Sequence, residues 1–180
     1  MVEYYFDIET TGLDPTEHKI VTIQWQPLSG LSGEPVGDLQ ILREWESSEE
    51  SIIRQFLPNI QCGNPFEFVM VGKNLLFDFM FFGRRATEHD AASMDLRYFY
   101  GRVWLDVKSI LVMMNHGSFK GYDRIIDKRG ELAKVCVPDL YREGKYDDII
   151  RYVKCETQTF LRAYQILKRE MPLIGYKISG

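Results

Sequence analysis

The chain has 180 residues, 45% of them apolar and 27% charged, with a net charge of −4. Those values suit one soluble globular domain over residues 1–180 and exclude an overall basic field as the means of finding a nucleic-acid partner, although local basic clusters and bound metal could still provide one. No apolar stretch is long enough to cross a bilayer. Glu3 and Asp7 interrupt the first apolar run against a signal peptide, and Cys62, Cys136 and Cys155 lack zinc-type spacing, so free thiols in a reducing cytoplasm are expected.

The first element is a strand over residues 2–8. Val2, Tyr4, Phe6 and Ile8 alternate with Glu3, Tyr5 and Asp7, and Gly12 with Asp14-Pro15 ends the run in a turn. A second strand fits Lys19 to Pro27 and a third Leu39 to Arg43, with a loop from Ser29-Gly30 to Gly37 between them. Three strands so close in sequence predict an antiparallel meander. Ser47 and Glu50 have capping-box spacing and start a helix through Ile52, Ile53, Phe56 and Leu57 that stops near Pro58. Phe66 to Gly72 is nearly continuous in apolar residues and reads as a central strand. A helix over Leu75 to Arg85, a short strand at Val103-Trp104-Leu105, and helices over Ser109 to Asn115 and Tyr122 to Lys128 follow. The longest helix runs from about Tyr146 to Glu170. This order predicts a mixed five-stranded α/β sheet, antiparallel in its first three strands and flanked by helices, with no linker dividing the chain.

Four acids and one phenol stand out against this frame. A strand repeats every two residues, so Asp7 and Glu9 share one face of a mostly buried strand. Two such acids repel each other and need a cation between them or a shared proton. Asp78 is the only polar side chain from Leu75 to Phe82. It is either a site residue or a first-turn acid meeting free helix N–H groups, and Asn74 before it can cap a helix. On the last helix, Ile149, Val153, Phe160, Tyr164 and Leu167 share one arc, while Arg151, Lys154, Gln158, Arg162 and Arg169 share the opposite one. Glu156 falls on the apolar arc, with Tyr152 one turn away at its edge. That pair is either part of a site or an ordinary Tyr–Glu hydrogen bond. A set built only of carboxylates suits Mg²⁺ or Mn²⁺, and two such ions form a clamp for in-line phosphoryl displacement.

The segments Phe6-Asp7-Ile8-Glu9-Thr10-Thr11-Gly12-Leu13-Asp14-Pro15, Gly72-Lys73-Asn74-Leu75-Leu76-Phe77-Asp78 and Tyr152-Val153-Lys154-Cys155-Glu156 resemble the three motifs of the DEDD superfamily of 3′–5′ exonucleases. That family includes polymerase proofreading domains. The last segment has Tyr four residues before the acid, as in the Tyr-type branch. Leu105-Asp106-Val107 followed by a helix is similar to the family as well. The resemblance implies a ribonuclease H-like fold and hydrolysis of single-stranded DNA or RNA from the 3′ end, releasing nucleoside 5′-monophosphates with two Mg²⁺ or Mn²⁺ ions. It implies that Asp7 bridges both ions, that Glu9 and Glu156 complete one site, and that Asp78 serves the other. Tyr152 would orient the attacking water. Thr10 and Leu13 would meet the terminal nucleotide, and Asn74 and Phe77 would hold and stack the strand's end.

One position departs from the family: its last acid is usually Asp, and here it is Glu156. The extra methylene moves the carboxylate by roughly 1.5 Å. A catalytically weakened nucleic-acid-binding module of the same fold is therefore the second reading, and a docking partner of a polymerase or RNA-processing complex in trans is the third. Arg84, Arg85, Lys120, Arg124, Lys128 and Arg129 either track phosphates or solvate helix faces. His18, His89 and His116 are expected in surface or loop roles, and Asp95 and Asp106 in structural ones.

Overall fold

The computed structural model describes residues 2–114, 116, 117 and 135–170. The helix expected over Tyr122 to Lys128 lies outside the described residues, as do Lys120, Arg124, Lys128 and Arg129. Strand β1 (Val2–Thr10) is followed by β2 (Ile20–Ser29) and β3 (Gln40–Arg43), one turn of 3-10 helix (Glu44–Glu46) and helix α1 (Glu49–Ile60). Then come β4 (Val69–Gly72), α2 (Leu75–Glu88), α3 (Leu96–Tyr100), β5 (Trp104–Asp106), α4 (Lys108–Met114), α5 (Val137–Arg142) and α6 (Tyr146–Glu170). The strands form one five-stranded sheet in the order β3-β2-β1-β4-β5. Pairing is antiparallel from β3 through β1 and parallel from β1 through β5.

The sheet is buried on both faces because alternate residues of β1 serve different layers. Phe6 and Ile8 pack with Ile52, Phe56, Phe79 and Phe82 of α1 and α2. Tyr5 packs the other way, with Val71, Leu111, Phe160 and Tyr164 of β4, α4 and α6. Phe56 is the hub of the first layer, with ring centroids 5.0 Å from Phe6, 5.2 Å from Trp25 and 5.5 Å from Phe82. Ile149, Val153, Phe160, Tyr164 and Leu167 are all buried, so the apolar arc of α6 faces inward as its spacing predicts.

Several expected boundaries move. The cap of α1 is Ser48, whose side chain accepts from the Ser51 N–H, so the helix begins one residue later than the Ser47–Glu50 spacing predicts. Helix α1 also runs through Pro58 to Ile60. Proline in the last turn removes a single N–H, and the buried Ile60 continues the inward face. Strand β4 is shorter than Phe66 to Gly72, because the Phe66 N–H is turned to the Asn64 side chain and the Glu67 N–H to the Asn64 carbonyl. The short helices α3 and α5 were not expected. Asp95 caps the former by accepting from the Tyr98 N–H, and Pro138 opens the latter.

Candidate active site

Strands β1 and β4 run parallel and their pairing ends at Tyr5 and Val71. Beyond that point the chains separate, and a cavity opens at the carboxyl end of the central strands, where α/β sheets commonly bind ligands. Gly72 lets β4 stay close against β1 up to that point. A Cβ there would stand 2.7 Å from the Phe6 carbonyl oxygen and 2.5 Å from Leu75 Cδ2, so a side chain would push β4 off β1. The next residue but one, Asn74, takes the left-handed conformation at φ 70°, which Asn tolerates better than most residues.

The cavity measures about 240 Å³ and is lined by Asp7, Glu9, Lys73, Asn74, Phe77, Asp78, Tyr152 and Glu156, with Tyr5, Ile8 and Phe160. At about 30 Å³ per water, it has room for cations and a phosphate group. Seven of the nine side chains expected at a site thus share one space. Thr10 and Leu13 do not line it. Thr10 ends β1 and donates to the Gly12 carbonyl at 2.6 Å, and Leu13 projects from the following turn, 81% exposed.

Each acid has an identifiable support. Gln24 Nε2 donates to Asp7 Oδ2 at 2.9 Å and the Tyr5 hydroxyl donates to the same oxygen at 3.2 Å. Gln24 is itself held by the Thr22 hydroxyl, which donates to its Oε1 at 2.9 Å. Burial pushes the Asp7 carboxyl up to about 6 against the opposing pull of Gln24, Lys73 and Tyr5, and Glu156 adds to the rise. Burial and then the charges of Asp7, Asp78 and Glu156 hold Glu9 well above the usual carboxylate range. Asp78 is raised in the same way, by burial and then by Asp7, although backbone N–H groups, including that of Ile8, hydrogen-bond to it. Burial and the charges of Glu9, Glu156 and Asp7 hold the Tyr152 phenol far above its ordinary value. It therefore stays protonated and can donate a hydrogen bond, but it cannot act as a base near neutral pH.

Among the described residues, no three His, Cys, Asp or Glu side chains stand close enough together to hold a metal ion as they are placed. The four carboxylates instead line a shared cavity, and three of them are held back from ionising by burial and by their neighbours. Such a donor set fits hard divalent cations, which take oxygen ligands and relieve the repulsion.

Other expectations are corrected or refined. Arg85 is neither on a solvated helix face nor in the cavity but is bound to the buried Glu49. Its Nε and Nη2 donate to Glu49 at 2.8 and 2.6 Å, and its Nη1 donates to the Pro15 carbonyl at 3.2 Å. His89 Nε2 lies 2.9 Å from the same buried Glu49. Asp106 has the expected structural role: its Oδ1 accepts from the Asn74 and Lys108 N–H groups, both at 2.8 Å. Asn74 makes no side-chain cap. Its Oδ1 accepts from Lys108 Nζ at 2.6 Å. Sequence reasoning gave no role to Gln24, Lys73 or Lys108. A glutamine inside the buried run of β2 was the signal for the first, and the position of Lys73 between Gly72 and Asn74 was the signal for the second.

No protein-family model matches the chain. An uncharacterised protein of Methanocaldococcus jannaschii is 32% identical over 111 residues, which cover 62% of this chain and 55% of that protein. The chain thus spans about half the length of that curated relative. Among solved structures, exonuclease I of E. coli in complex with a dT13 oligonucleotide is similar, with a TM-score of 0.51 at 9% identity. The likeness covers 63% of this chain and 29% of that one. Exonuclease I of Methylocaldum szegediense gives a TM-score of 0.50 at 14% identity, covering 63% and 29%. At these identities the likeness is one of fold: the chain has the ribonuclease H-like α/β fold of these nucleases. Among the described residues no helix is long and apolar enough to cross a membrane.

Proposed function

We propose that the chain is a single-domain, metal-dependent 3′–5′ exonuclease that hydrolyses phosphodiester bonds at the 3′ end of single-stranded DNA or RNA and releases nucleoside 5′-monophosphates. The observation that carries this reading is the shared cavity of Asp7, Glu9, Asp78 and Glu156 at the end of β1 and β4, with Tyr152 beside them. The nuclease-like fold supports it. Asp7, Glu9, Asp78 and Glu156 would hold two Mg²⁺ or Mn²⁺ ions, which when bound supply Lewis-acid activation of water and of the phosphodiester.

The chain's own residues do the rest. Tyr152, kept protonated, donates a hydrogen bond that orients the attacking water. Gln24 and Tyr5 fix the rotamer of Asp7 through Oδ2. Asn74, with its amide oxygen committed to Lys108 Nζ, presents its NH₂ group as a donor to the strand's end. Phe77 offers a ring face on which any base can stack. Leu13 and Thr10, outside the cavity, are the proposed contacts of the terminal nucleotide at its rim. The cytoplasm is the proposed compartment.

Polarity tests this directly. With Mg²⁺ or Mn²⁺, a 5′-labelled oligonucleotide should give a descending ladder, and a 3′-labelled one should lose its label as mononucleotide at once. A 3′-terminal phosphorothioate that fails to slow the ladder would contradict attack from that end. A second reading rests on Glu156 alone, where the family usually has Asp: the same cavity binds strand ends but cuts them slowly. It predicts oligonucleotide binding in metal with little product and a gain of rate in Glu156→Asp.

A further inference from the structure

We propose that Lys73 is a substrate-contacting residue of this cavity, the cation that balances Asp7 and Glu9 in the metal-free protein and meets the non-bridging oxygens of the scissile phosphodiester once metal is bound. The inference rests on the exonuclease reading above and adds a residue to it.

Among the described residues lining the cavity, Lys73 is the sole basic one, facing four carboxylates. It is half-buried, and its backbone is fixed on both sides. Gly72 closes β4 against β1, and the Asn74 N–H is tied to Asp106. Its stem is four carbons long, so a fixed Cα still lets the ammonium shift within the cavity. The cavity brings its side chain into one space with Asp7 and Glu9.

Charge balance gives that ammonium a second task. Once bound metal has ionised all four carboxylates, they and one ammonium carry three net negative charges. Two divalent cations convert this to one net positive charge, which matches the single negative charge of one phosphodiester. Without Lys73 the loaded cavity would be neutral and would hold the phosphodiester less firmly. The ammonium and a divalent cation also favour the same carboxylate oxygens, so Lys73 opposes metal loading until a phosphodiester gives it another partner.

The test compares wild type, Lys73→Met, Lys73→Gln and Lys73→Arg. Mn²⁺ binding is measured by calorimetry without nucleic acid. Affinity for a labelled single-stranded oligonucleotide is measured in Ca²⁺ between 50 and 200 mM salt (about the range over which phosphate contacts are read out). Lys73→Met and Lys73→Gln are expected to bind Mn²⁺ about three- to ten-fold more tightly. They are expected to bind the oligonucleotide about ten-fold more weakly, with a salt slope smaller by about 0.7. Lys73→Arg restores the slope. A slope that is unchanged in both neutral variants, or an Mn²⁺ affinity that fails to rise in either, overturns the inference while the exonuclease reading stands. If wild type binds no Mn²⁺, both fail together.

Discussion

Removing the charge of Asp7 is expected to stabilise the metal-free protein. Its folded-state value of about 6 lies above the ordinary 3.8 because burial disfavours the carboxylate. The folded state therefore holds the proton more tightly than the unfolded chain. The resulting stability is present below about pH 4 and is lost as pH rises through about 6. In chelator, the stability advantage of Asp7→Asn over wild type, read by denaturant titration, should grow from pH 4 to 7 and reach about 2–3 kcal/mol. An advantage that shrinks over that range would contradict the burial argument. Glu156 is the other residue with a clear test. If the extra methylene misplaces the carboxylate, Glu156→Asp raises the cleavage rate by about ten-fold or more, read in a single-turnover assay. Most of these residues could be found from sequence, because Asp7, Glu9, Asp78 and Glu156 are acids where apolar residues are expected. Lys73, Gln24 and Lys108 were harder to find: they act on those acids, or on Asn74, from neighbouring elements, and no spacing rule links residues 24 and 108 to residues 7 and 74.

At the scale of elements, the site depends on how β1, β4 and α2 meet. Gly72→Ala would force Cβ against the Phe6 carbonyl and Leu75, both of which hold the β4 end beside Asp7. It should lower stability by about 1–3 kcal/mol and reduce cleavage more than the lost stability explains, as measured by denaturant titration beside a rate assay. The far end of α2 is held by Glu49, which is 5% exposed and accepts from the Ile20 N–H, Arg85 and His89. Glu49→Ala leaves Arg85 half-buried without its main partner and should cost about 3–5 kcal/mol. Arg85 also donates to the Pro15 carbonyl in the turn that follows the first acidic motif, so the same change should loosen that turn. The long helix α6 and the meander β1 to β3 were legible because their hydrophobic periods are long and regular. Helix α1 was misplaced by one residue because Ser47 and Ser48 offer equivalent caps, and only Ser48 reaches an N–H in the fold. Helices α3 and α5 span five and six residues, too short for a period to emerge.

For the whole molecule, the sheet order places the acids of β1 between helices that come from distant parts of the chain. The antiparallel half of that order was readable from short connections. The parallel half was readable only as a mixed sheet, from the later alternation of helices and strands: β4 joins β1 and β5 joins β4 across long crossovers, and no short connection fixes which strands pair. The same architecture predicts that metal stabilises the fold, because relieving repulsion among Asp7, Glu9, Asp78 and Glu156 favours the folded state alone. At a metal concentration about 100 times the dissociation constant, the gain is about 2.7 kcal/mol, or roughly 5–10 °C in melting temperature for a chain of this size. Asp7→Asn should lose most of that shift. The central claim is tested most directly by incubating a 5′-labelled single-stranded oligonucleotide with wild type and with Asp7→Ala in Mn²⁺, with and without chelator. The account predicts a descending ladder from wild type in Mn²⁺ alone and intact substrate in the other three reactions. Identical ladders from wild type and Asp7→Ala would contradict it.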